Sequence, residues 1–121
     1  MTTDPRRDLV VTLDVGTTAV KAAVWDPALA APLALVRDEY GLITDGETVE
    51  VDPTTYLEAI ARTLPRALGD YAPRVRALAF ASQGETMILV DRTGVPVSRA
   101  IVWLDARADA VADAAGLLER L

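Results

Sequence analysis

The stretch from Asp8 to Asp26 places the strongest constraint on the fold, because two apolar runs flank one short polar segment. The first run contains Leu9, Val10, Val11 and Leu13, and the second contains Val20, Ala22, Ala23, Val24 and Trp25. The segment between them, Asp14-Val15-Gly16-Thr17-Thr18, includes a glycine. Two strand-like runs joined by a glycine-containing turn predict a β-hairpin.

The residues of this turn are suited to a phosphate and its metal. Gly16 allows the backbone to approach a ligand closely. The N–H groups and hydroxyls of Thr17 and Thr18 can donate to one anion. Asp14 suits a Mg²⁺ ion held through water, because Mg²⁺ keeps much of its hydration shell. The spacing is compatible with a phosphate-binding hairpin and also with an ordinary solvated turn.

Composition excludes several classes of function. A chain of 121 residues forms at most one domain. Its net charge of −6 argues against nucleic-acid binding, which needs a basic surface. With no Cys and no His, thiol and imidazole chemistry are excluded, and any metal must be held by oxygen ligands. The first residues lack an apolar signal core and no run reaches membrane-span length, so a cytoplasmic protein without membrane partners is predicted.

The segment after the hairpin predicts one more central strand and a loop. Residues 1–7 are predicted to be a disordered lead-in to a domain spanning 8–121. Leu33–Tyr40 is predicted to pair with the second strand, and Gly41–Gly46 to form a loop that ends in an Asp45-Gly46 turn. Thr48–Val51 is predicted to be a short edge strand.

A helix is predicted to begin at Asp52-Pro53, a capping side chain followed by proline at the first helical position. Its apolar face, which predicts packing against the core, consists of Tyr56, Leu57, Ile60, Ala61, Leu64 and Leu68. Pro65 predicts a kink or an early end near Leu64, and Gly69 is a plausible C-cap.

The rest of the chain predicts further strands and a final helix. Val75–Ala81 is predicted to be a buried strand parallel to the first, and Met87–Val90 to continue as a strand before a turn at residues 91–94. Ala100–Leu104 is predicted to be a short buried strand, followed by an alanine-rich helix from Asp105 to Leu121. The predicted class is therefore α/β, a mixed sheet with flanking helices.

Polar clusters follow three of the predicted strands, at Asp14–Thr18, Ser82–Glu85 and Asp105–Arg107. Ligands of open α/β sheets bind at the carboxyl ends of the strands. The three clusters are therefore predicted to converge on one cleft.

Three motifs together resemble the FGGY family of carbohydrate kinases: DVGTT-x-x-K near the start, SQGET in the middle, and IVWLDAR before the last helix. The resemblance extends from Leu9 to the C-terminus. It implies an actin-like (ribonuclease H-like) ATPase fold, of which this chain is the incomplete first part of the N-terminal domain. It also implies transfer of a phosphoryl group from ATP, with Mg²⁺, to a hydroxyl of a sugar or polyol.

On the phosphate side, the resemblance assigns a role to each residue of the first motif. Asp14 matches the carboxylate beside the metal, and Gly16, Thr17 and Thr18 match the turn that cradles the phosphates of ATP. Lys21 stands where glycerol kinases carry an Arg near the transferred group, and a Lys offers a point charge without the bidentate fork.

On the sugar side, the resemblance places Gln83, Gly84 and Glu85 on the substrate-binding turn. Gly84 replaces an Arg of glycerol kinases, which implies a roomier and less positive site that favours a ketose such as xylulose over glycerol. Trp103 matches a Trp that packs near the substrate. Asp105 and Arg107 are left open between binding the substrate and capping the helix while pairing with each other.

By this resemblance, the family's general base and its ATP-binding C-terminal domain both lie beyond Leu121. No catalytic residue is therefore assigned, and the chain alone is expected to have no kinase activity. Two alternatives remain: a stand-alone module that binds sugar or nucleotide without catalysis, and a different actin-like ATPase of the chaperone-like or filament-forming kind. The expected partner is a small molecule, and a homodimer is left open.

Overall fold

The computed structural model describes residues 8–114, and all of their side chains except those of residues 110, 113 and 114. The predictions for 1–7 and for the end of the last helix, 115–121, lie outside the described residues. The strands are β1 Leu9–Val15, β2 Ala19–Trp25, β3 Ala34–Glu39, β4 Ile43–Asp45, β5 Thr48–Val51, β6 Val75–Ser82 and β7 Ala100–Ile101. The helices are α1 Pro53–Leu68, a 3-10 helix Gly69–Arg74, and α2 Asp109–Ala114.

The described residues divide into two compact units. The first unit contains residues 8–40 and 54–83, and the second contains residues 41–53 and 84–114. No helix within residues 8–114 is both long enough and apolar enough to cross a bilayer.

The first unit is a four-stranded mixed sheet in the order β3-β2-β1-β6. The predicted hairpin is confirmed, because β1 and β2 are antiparallel, and the predicted pairings of β3 with β2 and of β6 with β1 are confirmed as well. Asp14 and Val15 were placed in the turn by the sequence, but they belong to β1. The turn itself is therefore only Gly16, Thr17 and Thr18.

The core of this unit lies between the sheet and α1. Alternate residues of β1 are buried, as expected of a strand with one covered face, whereas nearly all of β2 is buried. Leu9, Val11 and Val24 form a cluster against which Leu64 and Leu68 of α1 pack. The amphipathic helix thus docks on the sheet as predicted.

The predicted helix face needs correction. Tyr56 is buried, but its buried companions are Ala59, Thr63 and Ala67, while Leu57 and Ala61 are exposed. The buried residues recur at spacings of three and four and therefore form one stripe of the helix, whereas Leu57 and Ala61 lie on its exposed side.

Pro65 was predicted to kink the helix or to end it near Leu64. The early end is wrong, because α1 continues to Leu68. Pro65 is exposed. The carbonyl left without its N–H partner is that of the exposed Ala61, four residues earlier, where water can satisfy it. Gly69, with φ of 38°, follows the helix in the left-handed conformation that favours glycine.

The expected burial of β6 is wrong. All its residues after Val75 are exposed, and Phe80 has 60% of its surface accessible. In the part of the chain that the structure describes, β6 pairs with β1 on one side and stands at the edge of the sheet.

The second unit contains a three-stranded sheet in the order β4-β5-β7. Residues 43–45, predicted as loop, form strand β4, and the predicted edge strand β5 is central. Of the predicted strand Ala100–Leu104, only Ala100 and Ile101 are in β7; Val102 is buried, but Trp103 and Leu104 are exposed. The last helix begins at Asp109 rather than Asp105.

Residues 87–97 of the second unit fold back on themselves around the predicted turn. Val90 and Pro96 form an isolated bridge, as do Met87 and Ile101, in place of the regular strand predicted at 87–90. The Asp91 side chain accepts hydrogen bonds from the N–H groups of Thr93 and Val95, which stabilises the turn.

Candidate functional site

The turn between β1 and β2 is closed by backbone hydrogen bonds. The Gly16 N–H donates to the carbonyl of Ala19 at 2.9 Å. A Cβ on residue 16 would lie 3.2 Å from that same carbonyl oxygen, a tight contact that favours glycine at this position. The turn thus holds Thr17 and Thr18, the predicted phosphate-binding residues, at the carboxyl end of β1.

Asp14 and Lys21 lie beside this turn as a cross-strand pair. They are direct partners in the antiparallel register, and Lys21 Nζ donates to Asp14 Oδ2 at 3.1 Å. Both side chains are about half exposed, so the ion pair contributes at most about 1 kcal/mol to stability. The predicted metal carboxylate and the predicted phosphate-binding cation are therefore neighbours.

Asp14 fits Mg²⁺ as one half-exposed carboxylate. Within residues 8–114, no group of three or more acidic side chains lies close enough together to hold a metal ion. Mg²⁺ bound with a nucleotide typically uses one or two carboxylates, phosphate oxygens and water. The donor set here is compatible with that arrangement and not with an all-protein cage.

Gln83 follows β6 and lies next to the same turn. Its N–H donates to the carbonyl of Val15 at 2.9 Å, and its Nε2 donates to the Tyr56 hydroxyl at 3.1 Å. Its Oε1 is buried and makes no hydrogen bond with the described residues. A buried acceptor without a donor costs about 1–3 kcal/mol, so this atom is suited to accept from a ligand hydroxyl.

Two tyrosines, which the sequence analysis did not assign to the site, contact these residues. The Tyr40 hydroxyl donates to the carbonyl of Gly16, and the Tyr56 ring packs edge-on against Tyr40 with centroids 5.6 Å apart. Burial raises the pKa of Tyr40 to about 12 and raises the pKa of Tyr56 as well. The sequence offered one chemical signal for these contacts, because a buried tyrosine hydroxyl needs a hydrogen-bond partner. The apolar spacing of the helix, however, predicted only that Tyr56 lies in the core.

Glu85 of the second unit has an unusual backbone. Its φ is 60°, the one positive value among the described residues other than glycine. The left-handed region costs a non-glycine residue of order 1–3 kcal/mol, and such residues cluster at functional sites. Glu85 is exposed, and Gly84 before it leaves open space around its Cα.

Asp105 and Arg107, also in the second unit, pair with each other. Arg107 Nε donates to both oxygens of Asp105, at 2.9 and 3.0 Å, and Arg107 also contacts Glu50 at 2.8 Å. Asp105 Oδ2 in addition accepts from the Val49 N–H at 2.8 Å. Hydrogen bonding by Arg107 lowers the pKa of Asp105 to about 2.

Asp105 and Arg107 were predicted either to bind the substrate or to cap the last helix while pairing with each other. The pairing is confirmed, the helix cap is wrong because α2 starts at Asp109, and substrate binding stays a prediction. The cluster ties the segment after β7 to β5. Trp103, two residues before Asp105, has 52% of its surface exposed. The convergence of all three polar clusters on one cleft stays a prediction.

Residues 9–117 match the model of the N-terminal domain of the FGGY family of carbohydrate kinases. The chain belongs to this family. The resemblance inferred from the three motifs is thereby confirmed.

Relatives of this FGGY chain include glycerol kinases. It is 32% identical to the glycerol kinase of Gloeobacter violaceus, covering 84% of this chain and 21% of that protein. It is 36% identical to the glycerol kinase of Rhodospirillum centenum, covering 92% and 23%. The chain spans about a fifth of the length of the curated relatives it matches.

Solved structures of FGGY kinases confirm the predicted fold class. A xylulose kinase from Rhodospirillum rubrum superposes with a TM-score of 0.77 at 21% identity, covering 89% of this chain and 23% of that one. A gluconate kinase from Lactobacillus acidophilus superposes with a TM-score of 0.76 at 24% identity, covering 90% and 22%. The fold is therefore that of the actin-like kinases.

Proposed function

We propose that this chain is part of an enzyme that transfers a phosphoryl group from ATP to a hydroxyl of a sugar or polyol. The observation that carries the proposal is the match of residues 9–117 to the family's N-terminal domain. The geometry supports it, because the turn after β1 contains two threonines and lies beside one carboxylate and one cation.

In this proposal the first unit handles the phosphates. Thr17 and Thr18 donate to phosphate oxygens, and Lys21 adds positive charge beside them. Asp14 would hold Mg²⁺, which neutralises charge on the phosphates when bound. Catalysis of phosphoryl transfer depends chiefly on such positioning and charge stabilisation.

The residues proposed for contacts with the substrate are Gln83 in the first unit and, separately, Glu85 and Trp103 in the second unit. The unpaired Gln83 Oε1 and the Glu85 carboxylate are acceptors suited to hydroxyl groups. Gly84 brings neither bulk nor charge, which supports a ketose or polyol larger than glycerol. The pairing of Arg107 with both Asp105 and Glu50 would fix the segment that carries Trp103.

Substituting Asp14 tests this assignment in the complete gene product that contains the chain. Asp14→Asn keeps the shape but removes the charge, so kcat for ADP release should fall by about 100-fold or more, as when a transition-state stabiliser is lost. KM for the sugar should change little. Asp70→Asn, an exposed change in the same unit, serves as the control. An unchanged kcat in Asp14→Asn would remove Asp14 from the site.

A further inference from the structure

Tyr40 contacts the turn between β1 and β2 at two points. Its hydroxyl donates to the carbonyl of Gly16, and its backbone N–H donates to the carbonyl of Thr18 at 2.9 Å. Because the peptide group is planar and trans, the Gly16 carbonyl and the Thr17 N–H point in opposite directions. The bond from Tyr40 therefore fixes the direction of the Thr17 N–H, which points away from the Tyr40 hydroxyl.

Tyr56 makes the corresponding contact with Gln83. The Gln83 side chain donates to the Tyr56 hydroxyl through Nε2, and its backbone N–H is bonded to Val15, the residue just before the turn. The edge-on contact between the two rings connects Tyr40 with Tyr56. Tyr40, Tyr56 and Gln83, here called the tyrosine brace, thus connect the phosphate turn with the end of β6.

The chemistry of the Tyr40 hydroxyl suits a fixed support. Because the ordinary pKa of tyrosine is about 10, the phenol is protonated at neutral pH and donates to the carbonyl of Gly16. With Nε2 engaged by Tyr56, the Oε1 of Gln83 is the atom left to accept from a ligand.

We infer that Tyr40 and Tyr56 are positioning residues: Tyr40 fixes the conformation of the Gly16–Thr18 turn for binding a phosphate group, and Tyr56 presets the Gln83 carboxamide for a substrate hydroxyl. The inference rests on the proposed function for the identity of the two ligands. The brace itself rests on the hydrogen bonds within the first unit.

The test compares Tyr40→Phe, Tyr56→Phe and, as the matched control, Tyr71→Phe in the 121-residue chain labelled with ¹⁵N. Each variant keeps the ring and removes one hydroxyl, and these are the three tyrosines of the chain. Gln83 provides an unambiguous probe, because the sequence has one glutamine and no asparagine, so its carboxamide signals are unique. The Gly16 amide, bonded to Ala19, reports opening of the turn.

Tyr40→Phe should speed hydrogen exchange of the Gly16 amide and weaken binding of Mg²⁺-tripolyphosphate, each by about tenfold, the equivalent of one net hydrogen bond. Tyr56→Phe should shift the Gln83 carboxamide signals and leave the Gly16 exchange near its original rate. Tyr71→Phe should change none of these. Equal effects of all three variants would mean a general loss of stability and would overturn the inference, as would unchanged Gly16 and Gln83 signals.

The binding of Mg²⁺-tripolyphosphate and the Gln83 carboxamide signals separate the inference from the proposed function. If the unsubstituted chain does not bind Mg²⁺-tripolyphosphate, the phosphate role assigned to the turn fails, and with it the inferred role of Tyr40. The Gln83 arm needs no ligand and is read in a chain that keeps Tyr40, so it decides the Tyr56 contact even if Tyr40→Phe does not fold.

Discussion

At the scale of single residues, Asp105 and Glu85 represent opposite situations: the side chain of the first is supported by hydrogen bonds, and the backbone of the second is strained. Asp105 has 4% of its side chain exposed and is bonded to Arg107 and to the Val49 N–H. Glu85 is exposed and lies in the left-handed region. The first arrangement stabilises the second unit, whereas the second arrangement costs stability, which supports the proposed role of Glu85 in binding the substrate.

Replacing Glu85 by glycine separates the backbone strain at this position from the contribution of the Glu85 carboxylate to sugar binding. Because glycine adopts a φ of 60° without strain, Glu85→Gly should leave the free energy of unfolding unchanged or raise it. Glu47→Gly, an exposed position of the same unit with ordinary φ, should lower it by about 0.5–1 kcal/mol. Urea titration of both variants measures the difference, and equal destabilisation would mean that Glu85 is not strained. In the complete gene product, Glu85→Gly should also weaken sugar binding by about 1–3 kcal/mol.

The pKa of Asp105 predicts how stability depends on pH. Since folding lowers this pKa from 3.8 to about 2, the paired carboxylate stabilises the folded state fully above about pH 4 and loses that contribution as the pH falls toward 2. Asp105→Asn should therefore be less stable than the original chain at pH 5, by an amount that shrinks between pH 4 and pH 2. Urea midpoints over this range provide the measurement, and a constant difference would contradict the assignment.

At the scale of elements, the helix α1 shows where local sequence rules succeed and where packing overrides them. Its start at Pro53 follows from the capping signal, and its docking on the sheet follows from its amphipathic pattern. Its end does not follow from Pro65, because the proline lies on the solvent side of a helix whose other side is packed. Packing of Leu64 and Leu68 offsets the cost of the proline.

Removing this proline should therefore stabilise the protein. Pro65→Ala restores a backbone donor and relieves the clash with the preceding turn, which should raise the free energy of unfolding by about 1–3 kcal/mol. Arg66→Ala, an exposed change at the next position, should alter it by less than about 0.5 kcal/mol. Thermal or urea unfolding compares the two. No gain in Pro65→Ala would indicate that α1 already accommodates the proline without cost.

At the scale of the whole molecule, the sequence predicted the pairing of strands better than their burial. The hairpin, the parallel pairing of β6 with β1 and the mixed sheet follow from apolar runs and one glycine turn, which are local signals. The exposure of Phe80 in β6 depends on which elements cover the strand, and an apolar run does not contain that information.

The candidate site was predictable to a similar extent. Asp14 and Lys21 were singled out from their motif, and their pairing follows from the hairpin register. Tyr40 was missed because its contact with Gly16 joins residues 24 positions apart, a distance at which no periodicity operates. The same holds for Asp105 and Val49, which are 56 positions apart.

The measurement that tests the central claim most directly is ³¹P NMR of the complete gene product with Mg²⁺-ATP and a panel of glycerol, ketoses, gluconate and larger polyols. The account predicts a new phosphate monoester signal, formed in step with ADP, with at least one of these compounds and most strongly with a ketose or larger polyol. Release of inorganic phosphate alone, at one rate across the panel, would contradict the assignment of a sugar or polyol kinase and favour a general actin-like ATPase.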